Sequence, residues 1–205
     1  INDIERVEIT KGSGSVIYGD SAMAGAIHFY TKKNIQTKIS TTSGNYGVSQ
    51  TSASVGINDE KIDLNISLDN SKHDGFHKAA TGGVKDKGKQ TKSSIGGTYT
   101  TDGGTEISLD LYRTNSDIRY PNYLSDAQFE ADPTGSGSGS RYTYRDAESS
   151  TTNFKVKRNW GENFEFTTNR SAIDKESRNF YSYSGATVDN YKYDYKSNDY
   201  LLKYT

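Results

Sequence analysis

Apolar and polar residues alternate one for one along much of this chain. The clearest run is Ile62, Leu64, Ile66 and Leu68, with Asp63, Asn65, Ser67 and Asp69 between them. Successive side chains of a strand point to opposite faces, so the run predicts a strand with one apolar and one polar face. Weaker runs predict others. Ile35, Thr37, Ile39 and Thr41 mark a first strand. Thr51, Ala53, Val55 and Ile57 mark a second, after a turn at 44–47. Ile62–Leu68 is the third. A fourth spans about Lys92 to Thr100, with Ile95 and Tyr99 in phase, and Ile107, Leu109 and Leu111 mark a fifth. Phe154 and Val156 carry a sixth, Phe164, Phe166 and Thr168 a seventh, and Tyr200, Leu202 and Tyr204 an eighth that starts near Tyr191.

The segments between these strands differ in length in a regular way. Asn58–Lys61, Thr101–Gly104 and Asn159–Asn163 read as short turns; Asp102-Gly103 is a strong hairpin signal. Residues 70–89, 117–148 and 175–189 read as long polar loops, the middle one holding the run Gly135 to Ser140. A sandwich of two sheets shows the same strand periodicity but has no reason to sort its connections by length. A bacterial outer-membrane barrel does, with short turns at one rim and long loops at the other. Trp160 at a short turn, and tyrosines near strand ends, suit an aromatic girdle at a membrane interface. The expected fold is all-β, an antiparallel transmembrane β-barrel.

Composition narrows the function classes. Only 31% of residues are apolar and the mean hydropathy is -0.86, yet there are 16 Tyr and 7 Phe. No apolar run is long enough for a membrane-spanning helix. A barrel strand, with one face in lipid and one in water, keeps hydropathy low all the same. Twenty-five basic residues against 26 acidic ones argue against nucleic acid as a partner. The absence of cysteine removes disulfides and thiolate metal sites. No nucleophile elbow, His–carboxylate pairing or phosphate loop is present, so the chain is not expected to be an enzyme or to need a cofactor.

The opening stretch, Ile4 to Lys33, has a different texture. Val7 and Ile9 alternate with Glu8 and Thr10, a glycine-rich turn follows, and Ile27 to Thr31 reads as a strand again. Arg6, Val7, Glu8, Ile9, Gly12, Ser15, Tyr18, Gly19, Ala22, Gly25, Ala26, Ile27, Thr31 and Lys32 fall at fixed spacing. This constellation resembles the last part of the plug domain of TonB-dependent outer-membrane receptors. Ser13, His28 and the pair Phe29-Tyr30 depart from the usual pattern, where proline, asparagine and two aliphatics are common. Arg6, Glu8, Gly12, Tyr18, Gly19 and Gly25 are expected to be architectural rather than ligand-binding.

The resemblance implies two domains: residues 1–33 as the C-terminal end of a plug, and 34–205 as the first eight or so strands of a barrel of about 22. The front of the plug lies outside the chain, no signal peptide is visible, and the first residue is expected not to be the native start. The implied function is uptake across the outer membrane of a scarce, bulky nutrient, cobalamin or a ferric siderophore. The implied partners are the TonB energy coupler, reached through the missing N-terminal part, and outer-membrane lipid. The rival reading from the strands alone is a secreted or surface β-sandwich or solenoid adhesin.

For the ligand, the 117–148 segment stands out. Arg119, Arg141 and Arg145 are interleaved with Tyr120, Tyr123, Tyr142 and Tyr144. Guanidinium groups and aromatic faces together can hold an anionic or planar molecule, so Arg119, Tyr120, Tyr123, Arg141, Tyr142 and Tyr144 are the expected ligand-binding residues. His73 and His77 in a loop are expected to be solvated rather than metal-bound. The same holds for Asp74, Asp86, Asp117, Asp126, Asp132 and Asp146, whose spacing matches no compact calcium loop.

Overall fold

The computed structural model describes residues 4–12, 24–31, 36–78, 85–121, 123–136, 143–161, 163–181 and 187–204. The chain divides into two units, Ile1–Ile35 and Gln36–Thr205. Tyr18 and Gly19 of the opening motif lie outside the described residues, as do Arg141, Tyr142 and most of the Gly/Ser run.

In the first unit β1 (Ile4–Lys11) and β2 (Gly25–Thr31) pair antiparallel. Arg6 stands opposite Tyr30, Glu8 opposite His28 and Ile9 opposite Ile27. The alternation therefore builds one polar face and one apolar face of Val7, Ile9, Ile27 and Phe29. On the polar face the Arg6 Nε donates to Glu8 Oε1 at 2.8 Å, the Tyr30 hydroxyl donates to Glu8 Oε2 at 2.9 Å, and the guanidinium lies 3.7 Å from the Tyr30 ring centroid. These contacts account for the Arg-x-Glu of the motif. Gly25 has φ +147, and a Cβ there would collide with the Thr10 carbonyl oxygen. Only glycine takes this backbone conformation without strain.

The second unit is a single eight-stranded antiparallel meander. Its strands are β3 (Lys38–Ser43), β4 (Ser49–Asn58), β5 (Ile62–His73), β6 (Lys87–Thr100), β7 (Thr105–Tyr120), β8 (Thr143–Trp160), β9 (Phe164–Tyr181) and β10 (Thr187–Tyr204). Each pairs with its neighbours in sequence, with β3 and β10 at the edges and no register shift between them. An unbroken register keeps each strand's apolar set on one side, because a one-residue slip would reverse every side chain.

Rows of direct cross-strand neighbours show the two faces. Ile66, Ile95 and Leu111 form one row, and Ile62, Tyr99, Ile107 and Val156 another. This face is exposed; Ile66 is 43% accessible and Leu68 52%. Among the described residues of this unit no second sheet covers it, which a sandwich would require. The opposite face is polar and less accessible: Asn65, Gly96, Asp110, Asn153 and Ser171 form one of its rows. Hydroxyls and amides on it bond across strands, Ser67 to Ser94 at 2.7 Å, Thr98 to Ser108 at 2.9 Å, and Ser171 to Asn153 at 2.7 Å. The polar, more covered face is here called the inner one and the apolar face the outer one. At the short-turn rim Trp160, Phe164 and Tyr204 stand side by side on the outer face, with Phe164 and Tyr204 ring centroids 4.9 Å apart. They form an aromatic patch around Trp160.

Two expectations are corrected. The loops at 70–89, 117–148 and 175–189 are shorter, because β5 to β10 run on into them and leave connections at 74–86, 121–142 and 182–186. The third is no longer than the turn at 44–48. The strand tops carry polar side chains on both faces, so hydrophobic alternation ends several residues before the backbone ladder does. An 18-residue strand such as β8 extends ~60 Å at about 3.3 Å per residue. That is well beyond a hydrocarbon core of ~30 Å even when tilted. Second, a short helix, α1 (Asp126–Ala131), interrupts the 121–142 connection, where no helix was expected. Its capping box is complete, the Ser125 side chain accepting from the Gln128 N–H and Gln128 Oε1 accepting from the Ser125 N–H.

The conformation at Gly25 generates a prediction. Gly25→Ala should destabilise the β1–β2 pairing by about 1–3 kcal/mol, the usual cost of a side chain in such a backbone region. Faster protease cleavage of this pair is the expected readout. Gly44→Ala, whose Cβ would make ordinary contact with Val48, should change nothing.

Candidate ligand-facing rim and inner wall

The antiparallel order places the connections 44–48, 74–86, 121–142 and 182–186 at one rim, and 59–61, 101–104 and 161–163 at the other. Three connections of the first rim hold on to one another. Tyr46, at φ 60, accepts the Asp74 N–H at 2.8 Å through its carbonyl, and its ring meets that of Phe76 edge-on at 5.1 Å. Phe76 in turn packs edge-on against His77 at 5.4 Å. Asp86 fixes this turn by accepting from the Phe76 N–H at 3.2 Å, the His77 N–H at 3.0 Å and, at 3.1 Å, the His77 Nδ1. Burial raises the Asp86 pKa, but the His77 and backbone donors together outweigh it and hold the carboxyl below its ordinary value.

Lys78 carries the linkage to the next connection. Its N–H donates to the Thr134 carbonyl at 2.7 Å and its Nζ pairs with Asp132 Oδ2 at 2.5 Å. Asp132 also accepts from the Thr134 hydroxyl at 2.6 Å and the Thr134 N–H at 3.1 Å, while its own N–H closes α1 on the Gln128 carbonyl. With Lys78 and then Thr134 bonding to it, the Asp132 carboxyl is pulled down to about 2. The loop tips thus form a hydrogen-bonded chain from 46 through 74–78 to 132–134.

The expected ligand-binding residues are distributed differently from the sequence reading. Arg119 and Tyr144 sit on β7 and β8, not in a loop. They are direct cross-strand neighbours, with the guanidinium 4.7 Å from the Tyr144 ring centroid. Tyr144 stacks on Phe180 of β9 at 5.2 Å, nearly parallel. Arg119 also pairs with Asp117 at 3.2 Å. By register this row belongs to the outer face, in phase with Leu111. Tyr120 occupies the opposite phase, at the end of β7, and Tyr123 is 84% exposed in the connection. On the same outer side, a groove of about 840 Å³ is lined by Lys89, Asn115, Asp117, Asp146, Glu176 and Arg178 among others, charges of both signs.

The inner face holds aromatic residues that the sequence reading passed over. Tyr191, Tyr193 and Tyr195 occupy successive inward positions of β10, facing Ser177, Lys175 and Ile173 of β9. Tyr112 stands in the same inner row as Tyr195, three strands away. A signal was present: tyrosines fall on odd numbers from 191 to 195, whereas Tyr200, Leu202 and Tyr204 fall on even ones. The aromatic phase changes along one continuous strand, so the two groups must point to opposite faces. His73 and His77 join no group of three metal-ligating side chains among the described residues.

The clamp at Asp132 has a definite pH signature. A depressed carboxyl pKa adds stability above the ordinary value of 3.8 and loses it as pH falls towards about 2. Asp132→Asn should therefore speed hydrogen exchange at the Lys78 amide relative to the parent at pH 5–7. The difference should shrink as pH falls below the ordinary value of 3.8 and vanish only below about pH 2, where the parent's own carboxylate becomes protonated.

No protein-family model and no curated protein matches the chain. Solved structures do. The siderophore receptor PiuA from Acinetobacter baumannii superposes with a TM-score of 0.69 at 15% identity, over 86% of this chain and 27% of that one. The ferric-catecholate import receptor Fiu from E. coli K12, in its open form, superposes with a TM-score of 0.63 at 14% identity, over 98% of this chain and 35% of that one. The chain thus spans about a third or less of the length of these receptors, and at such identity the likeness concerns the fold. The fold of this chain is thus that of one part of these two receptors, built round an eight-stranded antiparallel meander.

Proposed function

We propose that the chain is part of an outer-membrane receptor for the TonB-dependent import of a ferric siderophore. The observation that carries this reading is the two-sided meander: a band of Ile, Leu, Val and Phe on an uncovered outer face and hydroxyls, amides and carboxylates on the inner one. In lipid every backbone group must be bonded within the protein, and a closed antiparallel barrel achieves this without edges. The apolar rows then face hydrocarbon, the Trp160 patch marks one interface, and the rim bearing 74–86 and 121–142 faces outward. The β1–β2 pair is the end of the plug, held by Arg6, Glu8 and Tyr30.

In this account the receptor performs no covalent chemistry. Rim connections and inner wall capture the ligand. Energy transmitted through a plug segment outside this chain then opens the path inward. Tyr123 is placed for first contact, whereas Arg119 and Tyr144 brace the base of the 121–142 connection. Siderophore is favoured over cobalamin because both solved receptors that share the fold are siderophore or ferric-catecholate receptors.

Two measurements on the complete receptor test the proposal. Cells expressing it should accumulate radiolabelled iron from ferric siderophores and lose that uptake when the energy coupler is absent; labelled cobalamin taken up instead would reassign the cargo. For orientation, Leu64→Arg should weaken folding into bilayers by about 2–4 kcal/mol and Asn65→Arg far less, because only the first places a charge in lipid. Equal effects would overturn the assignment of faces.

A further inference from the structure

The upper edge of the apolar band runs obliquely across the strand register. It reaches Leu68 on β5, Ile95 on β6, Leu111 on β7 and Phe154 on β8, and falls to Tyr200 on β10. Tyr200 lies in the row of Thr168, Val156, Ile107, Tyr99 and Ile62, so the edge drops six residues along β5, from 68 to 62, over five strand spacings. At about 3.3 Å per residue and ~4.8 Å per strand this is a slope of about 40°. Barrel strands tilt against their axis by ~35–45°, so the edge is level when the strands are tilted in a membrane.

That level decides which side chains meet the headgroups. The first charged outward residue above the edge is Lys72 on β5, Lys89 on β6, Arg113 on β7, Glu148 on β8, Arg170 on β9 and Lys196 on β10. Five of the six are cations. The one acid, Glu148, pairs with Arg113, whereas Lys72, Lys89 and Arg170 have no ion-pair partner among the described residues. Lys72, Lys89, Arg113 and Arg170 stand on interior strands of the sheet, so no missing neighbour explains their exposure. Carboxylates follow higher up, where Asp117 pairs with Arg119 and Glu176 with Lys192. The lower edge of the band carries the rings of Trp160, Phe164 and Tyr204 instead of such a row.

We infer that Lys72, Lys89, Arg113, Arg170 and Lys196 form a docking collar for the phosphate groups of lipid headgroups in the leaflet at the long-loop rim. The inference rests on the membrane reading of the outer face and names the chemistry of the lipid that meets it. The five cations lie within three outward positions of the apolar edge, and long basic side chains lay their stems along apolar surface while their heads stay in the polar layer. A guanidinium bonds two phosphate oxygens at once, and an ammonium attracts them as a point charge. Cations left without carboxylate partners at this height are an unbalanced charge that an anionic headgroup layer neutralises. The ring-bearing lower edge offers no such charge, so the surface suits a bilayer whose phosphate-rich leaflet lies on the long-loop side.

The test uses the complete receptor in phosphatidylcholine vesicles doped with a bisphosphorylated disaccharide lipid, or with the same lipid stripped of its phosphates. Lipid kept by the receptor through detergent extraction is read by native mass spectrometry. The parent should keep the phosphorylated lipid and not the stripped one. Lys72→Gln, Lys89→Gln and Arg170→Gln together should lower that retention by about tenfold or more, since each cation near an anionic headgroup layer adds its own attraction. Lys92→Gln, Lys155→Gln and Lys175→Gln together remove the same charge from the inner face and should leave retention unchanged. If the outer triple variant does not fold, Arg170→Gln alone should lower retention and Arg170→Lys should preserve it. Equal retention of the two lipids, equal loss in the outer and inner variants, or retention untouched by the outer Gln changes overturns the collar. A parent that inserts and keeps neither lipid overturns the collar and leaves the membrane reading standing. A parent that inserts into no vesicle removes both.

Discussion

The structure depends on one constraint: the backbone hydrogen bonds must be satisfied by neighbouring strands while one side of those strands stays dry. Eight consecutive strands meet it by pairing in sequence order with no slip in register. Everything else follows from that ladder. It sends Ile62, Leu64, Ile66 and Leu68 to one side and Asp63, Asn65, Ser67 and Asp69 to the other. It fixes which connections share a rim, and it brings Arg119, Tyr144 and Phe180 into one row although they are far apart in sequence. Side-chain pairs such as Ser67–Ser94 then complete the polar side without adding apolar bulk.

Above the dry band the same ladder continues under different rules. The outer face is no longer apolar there, and the side chains that hold the strands together are charged or aromatic: Arg113 with Glu148, Arg119 with Asp117, Tyr144 on Phe180. Beyond the strands, Asp86 and Asp132 do the organising, each collecting several donors around one carboxylate. The rim connections are therefore tied to one another by a few polar contacts rather than by a core. Elements so lightly held can rearrange around a ligand at small cost.

What could be read from the sequence divides along the same line. The strands between residues 51 and 69 and around 107–111 were legible because a buried or lipid-facing side enforces period-two alternation. The turns at Thr101–Gly104 and Asn159–Asn163 were legible from their glycines. The upper ends of β6 to β10 were not, since polar residues on both faces leave no period to detect. The helix at Asp126–Ala131 was hidden by its shortness, although Ser125 and Gln128 carried its capping signal. The placement of the candidate site residues was less legible than the fold. Arg119 and Tyr144 do meet, but on the outer face, because counting residues along an unrecognised strand is what decides the side. Tyr191, Tyr193 and Tyr195 were passed over for the same reason.

The central claim is that the alternation along β5 separates lipid from water, and that it does so only up to about Leu68. A spin-label accessibility scan of residues 62–73, one position at a time in the complete receptor reconstituted into bilayers, measures this directly. The account predicts high oxygen and low aqueous-reagent accessibility at 62, 64, 66 and 68, the reverse at 63, 65 and 67, and aqueous accessibility on both faces from about 70 onward. Uniform accessibility from 62 to 69, or lipid contact at the odd positions, would contradict it.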